Sequence, residues 1–181
     1  MHAKNAPEEL FAPRVVHLVA GELHAGAARG AYWLHRSLLQ LGIPSQVITS
    51  AIKPNQDPSV SSLARTDVRR LQAFGTNRVS NLPAAIYRHR KPHIFDTGFF
   101  GLNYAQTKAY KESDIVHLHW INGLASIRSI GRIQKPIVWT LRDMWPFTGG
   151  CHYAMNCERF TGGCGACPQL GSERKHDLSR L

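Results

Sequence analysis

The sequence predicts an α/β fold, in which a parallel β-sheet carries helices on its faces. Short apolar runs rich in β-branched residues alternate with segments of helical periodicity from residue 14 to residue 141. With 181 residues, of which 43% are hydrophobic, the chain is long and apolar enough for one compact core. We therefore expect one domain over residues 14–181, preceded by a tail at residues 1–13.

The opening unit is the clearest part of this pattern. Arg14–Ala20 is an apolar run typical of a buried strand, and Ala27–Leu41 then has the period of a helix that Gly42 and Pro44 end. Gln46–Thr49 is the second strand, and strand, helix and strand in this order predict a βαβ unit with parallel strands. The helix is expected to bury one apolar face: Ala27, Ala31, Leu34, Leu38 and Leu41.

The alternation continues more weakly through the middle of the chain. Lys53–Lys91 predicts one or two helices in a strongly basic segment. A helix at about Asn103–Glu112 precedes a strand at Asp114–His119, and a helix over Asn122–Ile133 precedes a strand at Pro136–Leu141. Beyond residue 141 the periodicity stops.

The charge balance indicates anionic partners. Lys and Arg number 22 against 12 Asp and Glu, so the net charge is +10, and much of the excess lies at residues 65–91. Nucleic acid, anionic lipid headgroups and phosphorylated sugars all fit this charge. The longest uncharged stretch, Ser37–Ile52, has 16 residues, whereas a membrane span needs about 20 apolar ones. We expect neither a membrane-spanning protein nor a secreted precursor.

Polar and aromatic side chains follow two of the predicted strands: His117, His119 and Trp120 after one, and Arg142, Asp143 and Trp145 after the other. Ligands of open α/β sheets bind beyond the carboxyl ends of the strands. Arg142 could bind an anionic group, and Asp143 could accept a sugar hydroxyl or act as a base. The alternative for each histidine is a core residue with satisfied hydrogen bonds.

The turn between the first strand and the first helix contains Gly21 and Gly26. Glycine at this position lets the backbone approach a phosphate at a helix N-terminus. The spacing matches neither the dinucleotide fingerprint nor a Walker loop, so a glycine that only permits the turn is an equal alternative.

The four cysteines, Cys151, Cys157, Cys164 and Cys167, lie in the irregular segment Asp143–Gln169. Four thiolates can form a closed, tetrahedral structural zinc site, and a bound metal would order a segment that has no periodicity. We predict zinc, with free thiols, disulfides and an iron–sulfur cluster as the alternatives.

Three blocks make the sequence resemble a known family: Asp114–Gly123, Lys135–Tyr153 and Cys157–Leu170. They resemble the N-terminal half of family-4 glycosyltransferases, in the group that acts in bacterial exopolysaccharide or colanic-acid-like synthesis. The resemblance implies the first of two Rossmann-like domains of a GT-B fold. Such enzymes transfer a sugar from a nucleotide-activated donor with retention of configuration and without a catalytic metal. Their N-terminal domain shapes the acceptor side.

The resemblance also implies roles for individual residues. Gly26 matches the loop glycine that approaches the donor phosphate, and Arg142 stands where the family has a histidine near the transferred sugar. Arginine is a permanent cation and cannot replace a neutral imidazole directly. Asp143, Trp145 and the four cysteines match as they stand. We therefore predict Arg142 and Asp143 as catalytic, and as substrate-binding residues Gly26, His119, Trp120 and Trp145.

The family's second domain carries a Glu-x7-Glu motif, and no glutamates here have that spacing. We expect an acceptor-side domain that is inactive alone and cytoplasmic, at the inner face of the membrane. Its partners would be a nucleotide-sugar donor, a saccharide or lipid-linked acceptor and an anionic membrane surface. The alternatives are a non-catalytic partner subunit and a zinc-stabilised nucleic-acid-binding module. The last would place cations beside the cysteines, but Asp143–Gln169 contains only Arg159.

Overall fold

A single parallel sheet organises the molecule, for which we obtained a computed structural model that describes residues 12–24, 26–52, 56–64, 75, 79 and 82–180. Its five strands have the order β3-β2-β1-β4-β5, and every neighbouring pair is parallel. The strands are β1 Val15–Val19, β2 Ser45–Thr49, β3 Val60–Ser62, β4 Ile115–Leu118 and β5 Ile137–Trp139. This arrangement confirms the predicted α/β, Rossmann-like class.

The helices agree with the sequence in the opening unit and depart from it later. Within the described residues, the α-helices with defined bounds are α1 Gly26–Gln40, α2 Lys108–Glu112 and α3 Ile127–Ile130, and residues 82–85 are also helical. Short 3-10 helices lie at Tyr104–Gln106, Trp145–Phe147, Arg159–Gly162 and Leu178–Arg180.

Two helix predictions are wrong in extent because polar side chains cap the helices inside the predicted ranges. In the range Asn103–Glu112, the Thr107 hydroxyl accepts a hydrogen bond from the Tyr110 backbone N–H, so that α2 begins only there. The predicted helix over Asn122–Ile133 shrinks to α3, because the Ser126 hydroxyl caps it in the same way. The residues before Ser126 form a turn instead.

The two faces of the sheet differ in character. One face is apolar: Val16 and Leu18 pack with Val116 and Leu118 in the largest core cluster, which also contains Tyr104. The other face lies under α1. There, the buried side chains include two valines that pack on alanines of α1, and also three polar residues of the strands, His17, Ser45 and His117.

The buried stripe of α1 differs from the predicted one. Ala28, Ala31 and His35 are its buried residues, whereas Leu41 is 75% exposed. The predicted stripe is therefore right for Ala31 and wrong for Leu41, whereas Leu34 and Leu38 are half-buried at its margin. The stripe is rotated because the His35 ring enters the layer between helix and sheet, where both of its ring nitrogens have hydrogen-bond partners.

The segment after residue 143 is irregular, as predicted, and its order comes largely from hydrogen bonds with residues 172–180. Asp177 accepts from the Cys167 backbone N–H at 2.7 Å, and the Ser179 hydroxyl accepts from the Gly165 N–H at 3.0 Å. Gly165 has a φ of +95°, and a Cβ there would lie 2.2 Å from the Lys175 carbonyl oxygen. Close backbone packing thus contributes to the order of this segment, and the predicted metal remains a prediction.

Several predictions fall partly outside the described residues. Most of the basic segment 65–91 does so; its described part, residues 75, 79 and 82–91, includes helical residues at 82–85. The tail at residues 1–13 is described only from residue 12. Within the described ranges, no helix combines the length and apolar character needed to cross a membrane.

Candidate functional site

An open cleft of about 790 Å³ lies at the carboxyl edge of the sheet, beside the point where the strand order reverses between β1 and β4. Its walls are the segments that follow β1, β2 and β4, together with residues 90–96. In open α/β sheets this switch point is the usual ligand site, because loops from the two adjoining strands diverge there. The position of the cleft makes it the candidate site.

The rim of the cleft is basic and its wall offers hydrogen-bond donors. Arg90, Lys91 and His93 line it and are all exposed. Trp120 also lines it, and the buried indole N–H of Trp120 has no hydrogen-bond partner in the described part of the chain. This N–H is closed to solvent, and because a buried N–H without a partner is unfavourable, a ligand oxygen that reached it would gain a hydrogen bond.

A buried carboxyl group also belongs to the cleft. Asp96 is 4% exposed, lines the cleft, and accepts a hydrogen bond from the Gly98 N–H at 2.8 Å. Burial raises the pKa of Asp96. A carboxyl with a raised pKa in a cleft is typical of functional sites.

Asp143 points away from the solvent and towards a buried histidine. Its Oδ2 lies 2.5 Å from His152 Nδ1, and its Oδ1 accepts from the Trp145 N–H at 3.0 Å. His152 is 1% exposed, and its Nε2 lies 3.1 Å from Asn122 Nδ2. Asn122 lines the cleft. An Asn122–His152–Asp143 series therefore connects the predicted aspartate to the cleft wall and leaves little of its carboxylate free for a ligand.

Three histidines form a layer beneath α1. His17 on β1 pairs directly with His117 on β4, and His119 follows on the same face. The His117 and His119 rings stack with centroids 4.2 Å apart, and His17 Nδ1 lies 3.0 Å from His119 Nε2. His117 Nε2 lies 2.7 Å from the Thr140 hydroxyl. The strand-end histidines thus satisfy one another and their neighbours.

Burial keeps these imidazoles neutral. Burial first, and then the charges of neighbouring residues, lower the pKa of His17 to about 2 and that of His119 to about 3. The pKa of His117 is also lowered, first by burial and then by the Arg142 charge.

The same trio has the spacing of a metal site, because one ring nitrogen from each of His17, His117 and His119 lies within 4.8 Å of the other two. Two observations favour hydrogen bonding over a cation. Four of the ring nitrogens have close partners in hydrogen-bonding geometry, and the Arg142 guanidinium lies 3.4 Å from His119 Nδ1, where it would repel a cation.

Arg142 is exposed beyond the end of β5 and lies across α1. Its Nη1 would be 2.9 Å from a Cβ at Gly30, so the absence of a side chain at Gly30 leaves the room that the guanidinium occupies. Among the other predicted substrate residues, Gly26 begins α1 with a φ of +54° and open space around it. Trp145 is 8% exposed in the core, and its indole N–H donates to the Asp96 carbonyl oxygen at 2.8 Å.

The four cysteines surround one small cavity of about 20 Å³, which is about the size of a single water molecule or ion. The Gly149 N–H lies 3.3 Å from Cys164 Sγ, and burial raises the thiol pKa of Cys151 and Cys167. Within the described residues, no three of the sulfur atoms lie within 4.8 Å of one another. The number and kind of ligands suit zinc, but the thiols are farther apart than in a closed zinc site.

Sequence reasoning missed five side chains that organise this region: His17, His35, Ser45, Asn122 and His152. A signal existed for His17, because it is the single polar residue of an otherwise apolar strand. The others meet through contacts between distant elements, which local periodicity does not record.

Fold and site together define a Rossmann-like α/β domain with an open cleft at its topological switch point. The chain is similar to an Escherichia coli K12 protein named "Putative colanic acid biosynthesis glycosyl transferase WcaC", with 26% identity over 169 aligned residues and a coverage of 84% of this chain. The match covers 40% of the length of that relative. The similarity supports a glycosyltransferase-like relationship. No protein-family model and no solved structure matches the chain.

Proposed function

We propose that this chain is the acceptor-side domain of a retaining glycosyltransferase, which transfers a sugar from a nucleotide-activated donor to a saccharide or lipid-linked acceptor. The observation that carries the proposal is the basic cleft at the switch point of the sheet. The similarity to a protein named as a glycosyl transferase supports the reaction class.

The cleft suits an acceptor that combines sugar hydroxyls with a phosphate group. Arg90 and Lys91 on the rim supply positive charge for a phosphate, whereas Trp120 and Asn122 on the wall supply neutral hydrogen-bonding groups for a sugar. A sugar carried on a lipid diphosphate has both features.

The residues predicted from sequence take distinct roles in this proposal. Gly26, at the exposed N-terminus of α1, would approach the donor phosphate, where backbone N–H groups and the helix dipole favour an anion. Arg142 would contribute a cation near the transferred sugar. Asp143 would act indirectly, because both of its oxygens accept hydrogen bonds inside the protein and one of them holds His152 against Asn122.

If the cleft binds the acceptor, positively charged side chains of the cleft should strengthen binding of a diphosphate-linked sugar, and those elsewhere should not. In calorimetry, a short-chain prenyl-diphosphate-linked monosaccharide should bind about tenfold more tightly than an alkyl glycoside of the same sugar. Lys91→Glu should weaken that binding several-fold. Lys108→Glu makes the same charge change at a side chain that is 85% exposed on α2, and it should have no effect. Equal binding of both probes would contradict the proposed acceptor.

The donor side would require a second, nucleotide-binding domain, because stabilising the leaving diphosphate is an electrostatic task that the family assigns there. We therefore expect that the isolated chain transfers no sugar from a panel of nucleotide sugars and binds none with micromolar affinity. Micromolar binding together with sugar transfer would contradict this division of labour.

We also propose that Cys151, Cys157, Cys164 and Cys167 bind one structural zinc. Support comes from the shared cavity and the donor chemistry. Elemental analysis of protein purified under reducing conditions should find about one zinc per chain. Cys164→Ser should lose the metal and make the segment easier to proteolyse. Metal-free protein with four reactive thiols and an equally ordered segment would contradict the zinc site.

A final element of the proposal is contact with an anionic membrane surface. The net charge of +10 and the exposed Arg88, Arg90 and Lys91 support it. Flotation with liposomes should require anionic lipid and weaken with salt. Equal binding to neutral vesicles, or binding to neither, would contradict the proposal.

A further inference from the structure

A continuous series of hydrogen bonds crosses the layer between α1 and the sheet. We call it the histidine chain, and its members in order are Arg142, His119, His17, Ser45, His35, Ser59 and Asp57. From Arg142 as far as Ser59 the successive donor–acceptor distances are 3.4, 3.0, 3.1, 2.8 and 2.9 Å. The Ser59 hydroxyl donates the last bond to Asp57 Oδ1.

The Arg142 end imposes a direction on these bonds. A guanidinium can only donate, so His119 Nδ1 must accept and His119 must carry its proton on Nε2. The His119 Nε2–H then donates to His17 Nδ1, which places the His17 proton on Nε2 as well. His17 in turn donates to the Ser45 hydroxyl oxygen.

The Asp57 end imposes the same direction independently. A carboxylate can only accept, so the Ser59 hydroxyl donates to Asp57 and accepts from His35 Nε2–H. His35 Nδ1 is then an acceptor for the Ser45 hydroxyl. Because Ser45 has only one proton to donate, it accepts from His17, in agreement with the direction set at the other end.

The direction requires neutral imidazoles, since a protonated ring would donate from both nitrogens. Burial lowers the pKa of His17, His35 and His119 and meets this requirement. At the far end, burial raises the pKa of Asp57, but hydrogen bonds from Ser59 and Tyr32 outweigh it and lower the pKa to about 2, so Asp57 is a carboxylate.

We propose that His17, His35 and Ser45 are positioning residues, which act through His119 to present a fixed hydrogen-bond acceptor to Arg142. The Arg142 guanidinium then donates to a fixed acceptor on His119, in the room left by the absence of a side chain at Gly30. Holding a long cationic side chain in one geometry reduces the entropy that it loses when it binds an anion. Only the use of Arg142 for a substrate rests on the proposed function. The direction of the hydrogen bonds in the histidine chain is a property of the free protein.

Nitrogen-15 NMR of the ligand-free protein tests the proposal directly. The wild type should show His17, His35 and His119 as neutral Nε2–H tautomers at pH 7. A through-bond nitrogen–nitrogen coupling should link His119 Nε2 to His17 Nδ1. An Nδ1–H tautomer at any of the three histidines would overturn the proposal without any variant being made.

Two variants test whether the histidine chain transmits its hydrogen-bond direction from one end to the other or is only a set of independent contacts. Arg142→Met removes one end, and the Asp57 end should keep His17 and His119 in the Nε2–H form. Adding Ser45→Ala removes the hydroxyl at the middle of the histidine chain, so that neither end sets the direction of the hydrogen bonds. Both tautomers of His119 should then be populated. Scrambled tautomers in Arg142→Met alone would overturn the proposal, because the acceptor would then be set only by Arg142.

The matched control is Arg142→Met combined with Ser37→Ala. Ser37 lies on the exposed side of α1, where its hydroxyl bonds the Trp33 carbonyl oxygen. The control makes the same chemical change outside the chain and should leave His119 in the Nε2–H form. If the Ser45 double variant does not fold, the wild-type tautomers and the Arg142→Met result decide the question. These measurements use no ligand, so failure to bind a glycosyl diphosphate would leave them unaffected.

Discussion

The two faces of the central sheet are both buried, but they are built from opposite kinds of side chain. On the apolar face, Val16, Leu18 and Leu118 are fully buried among other hydrophobic residues. On the face under α1, His17 and His119 are equally buried, and each has hydrogen-bonded neighbours. The same strands therefore supply an apolar core on one side and a polar network on the other.

The difference shows that the side chains of the apolar face mainly stabilise the fold, whereas those of the polar face mainly hold one another in a fixed geometry. Burial of apolar surface is favourable without further conditions, at about 25 cal/mol per Å². A buried polar group is tolerated only if its hydrogen bonds are made, and an imidazole must also stay neutral. The stability of the polar face thus depends on more conditions than that of the apolar face. The polar face also contains His119, which is the hydrogen-bond partner of Arg142.

The largest expected difference between the two faces is in how each makes the free energy of unfolding depend on pH. The pKa of His17 is about 2 and that of His119 about 3 in the folded protein, against about 6.5 when unfolded. Below pH 6.5 the unfolded chain therefore binds protons that the folded chain does not. The free energy of unfolding should fall, as pH decreases from 6.5 towards 3, by about 1.4 kcal/mol per pH unit for each of the two histidines.

Denaturant unfolding at pH 7, 6, 5 and 4 measures this slope. His17→Gln should reduce it, whereas His24→Gln, at an exposed turn, should leave it unchanged. An unchanged slope in His17→Gln would mean that the acid sensitivity comes from other groups.

On the apolar face, truncation should lower stability with little effect on the site. Leu18→Ala removes a fully buried side chain and should lower the free energy of unfolding by about 3–5 kcal/mol, through lost burial and the cavity left behind. Leu41→Ala, at a side chain that is 75% exposed, should change it by less than about 0.5 kcal/mol. Equal losses in both variants would contradict the assigned core.

Removing one hydrogen-bonding group from the polar face should lower stability less than Leu18→Ala does. Ser45→Ala leaves His17 Nε2 and His35 Nδ1 without their shared partner and should lower the free energy of unfolding by about 1–3 kcal/mol. Chemical denaturation of Ser45→Ala beside Ser37→Ala isolates the buried hydroxyl. A loss no greater than that of Ser37→Ala would show that water replaces it.

The smallest effect on stability should accompany a clear effect on Arg142. Gly30→Ala places a methyl group where the guanidinium lies, but that guanidinium is the free end of a flexible side chain and can move. Alanine also favours a helix interior over glycine by about 0.5–1 kcal/mol. Melting should be unchanged or slightly higher, while the Arg142 side-chain NMR signals shift. Unshifted signals would contradict the contact with Gly30.

The sequence predicted those parts of the fold that depend on local pattern. The β1–α1–β2 unit lies within a residue or two of its predicted bounds, and β4 and β5 lie inside theirs. The three-residue strand β3 was missed, because Val60–Ser62 is too short for a period and forms only by pairing with β2.

The site was harder to predict because its contacts join distant parts of the chain. His17 and His119 are 102 residues apart and meet only through the pairing of β1 with β4. His152 reaches Asn122 from an irregular loop. The four cysteines line one cavity, and their common zinc site remains a prediction.

The most direct test of the account is a map of where a glycosyl diphosphate binds. A short-chain prenyl-diphosphate-linked monosaccharide is titrated into labelled protein, and backbone and indole N–H signals are followed. We expect the Trp120 indole and Asn122 signals to shift together and saturate, because both residues line the cleft at the switch point. Shifts confined to the opposite edge of the sheet, near the Arg14–Asp114 ion pair, or no saturable shift at all, would contradict it.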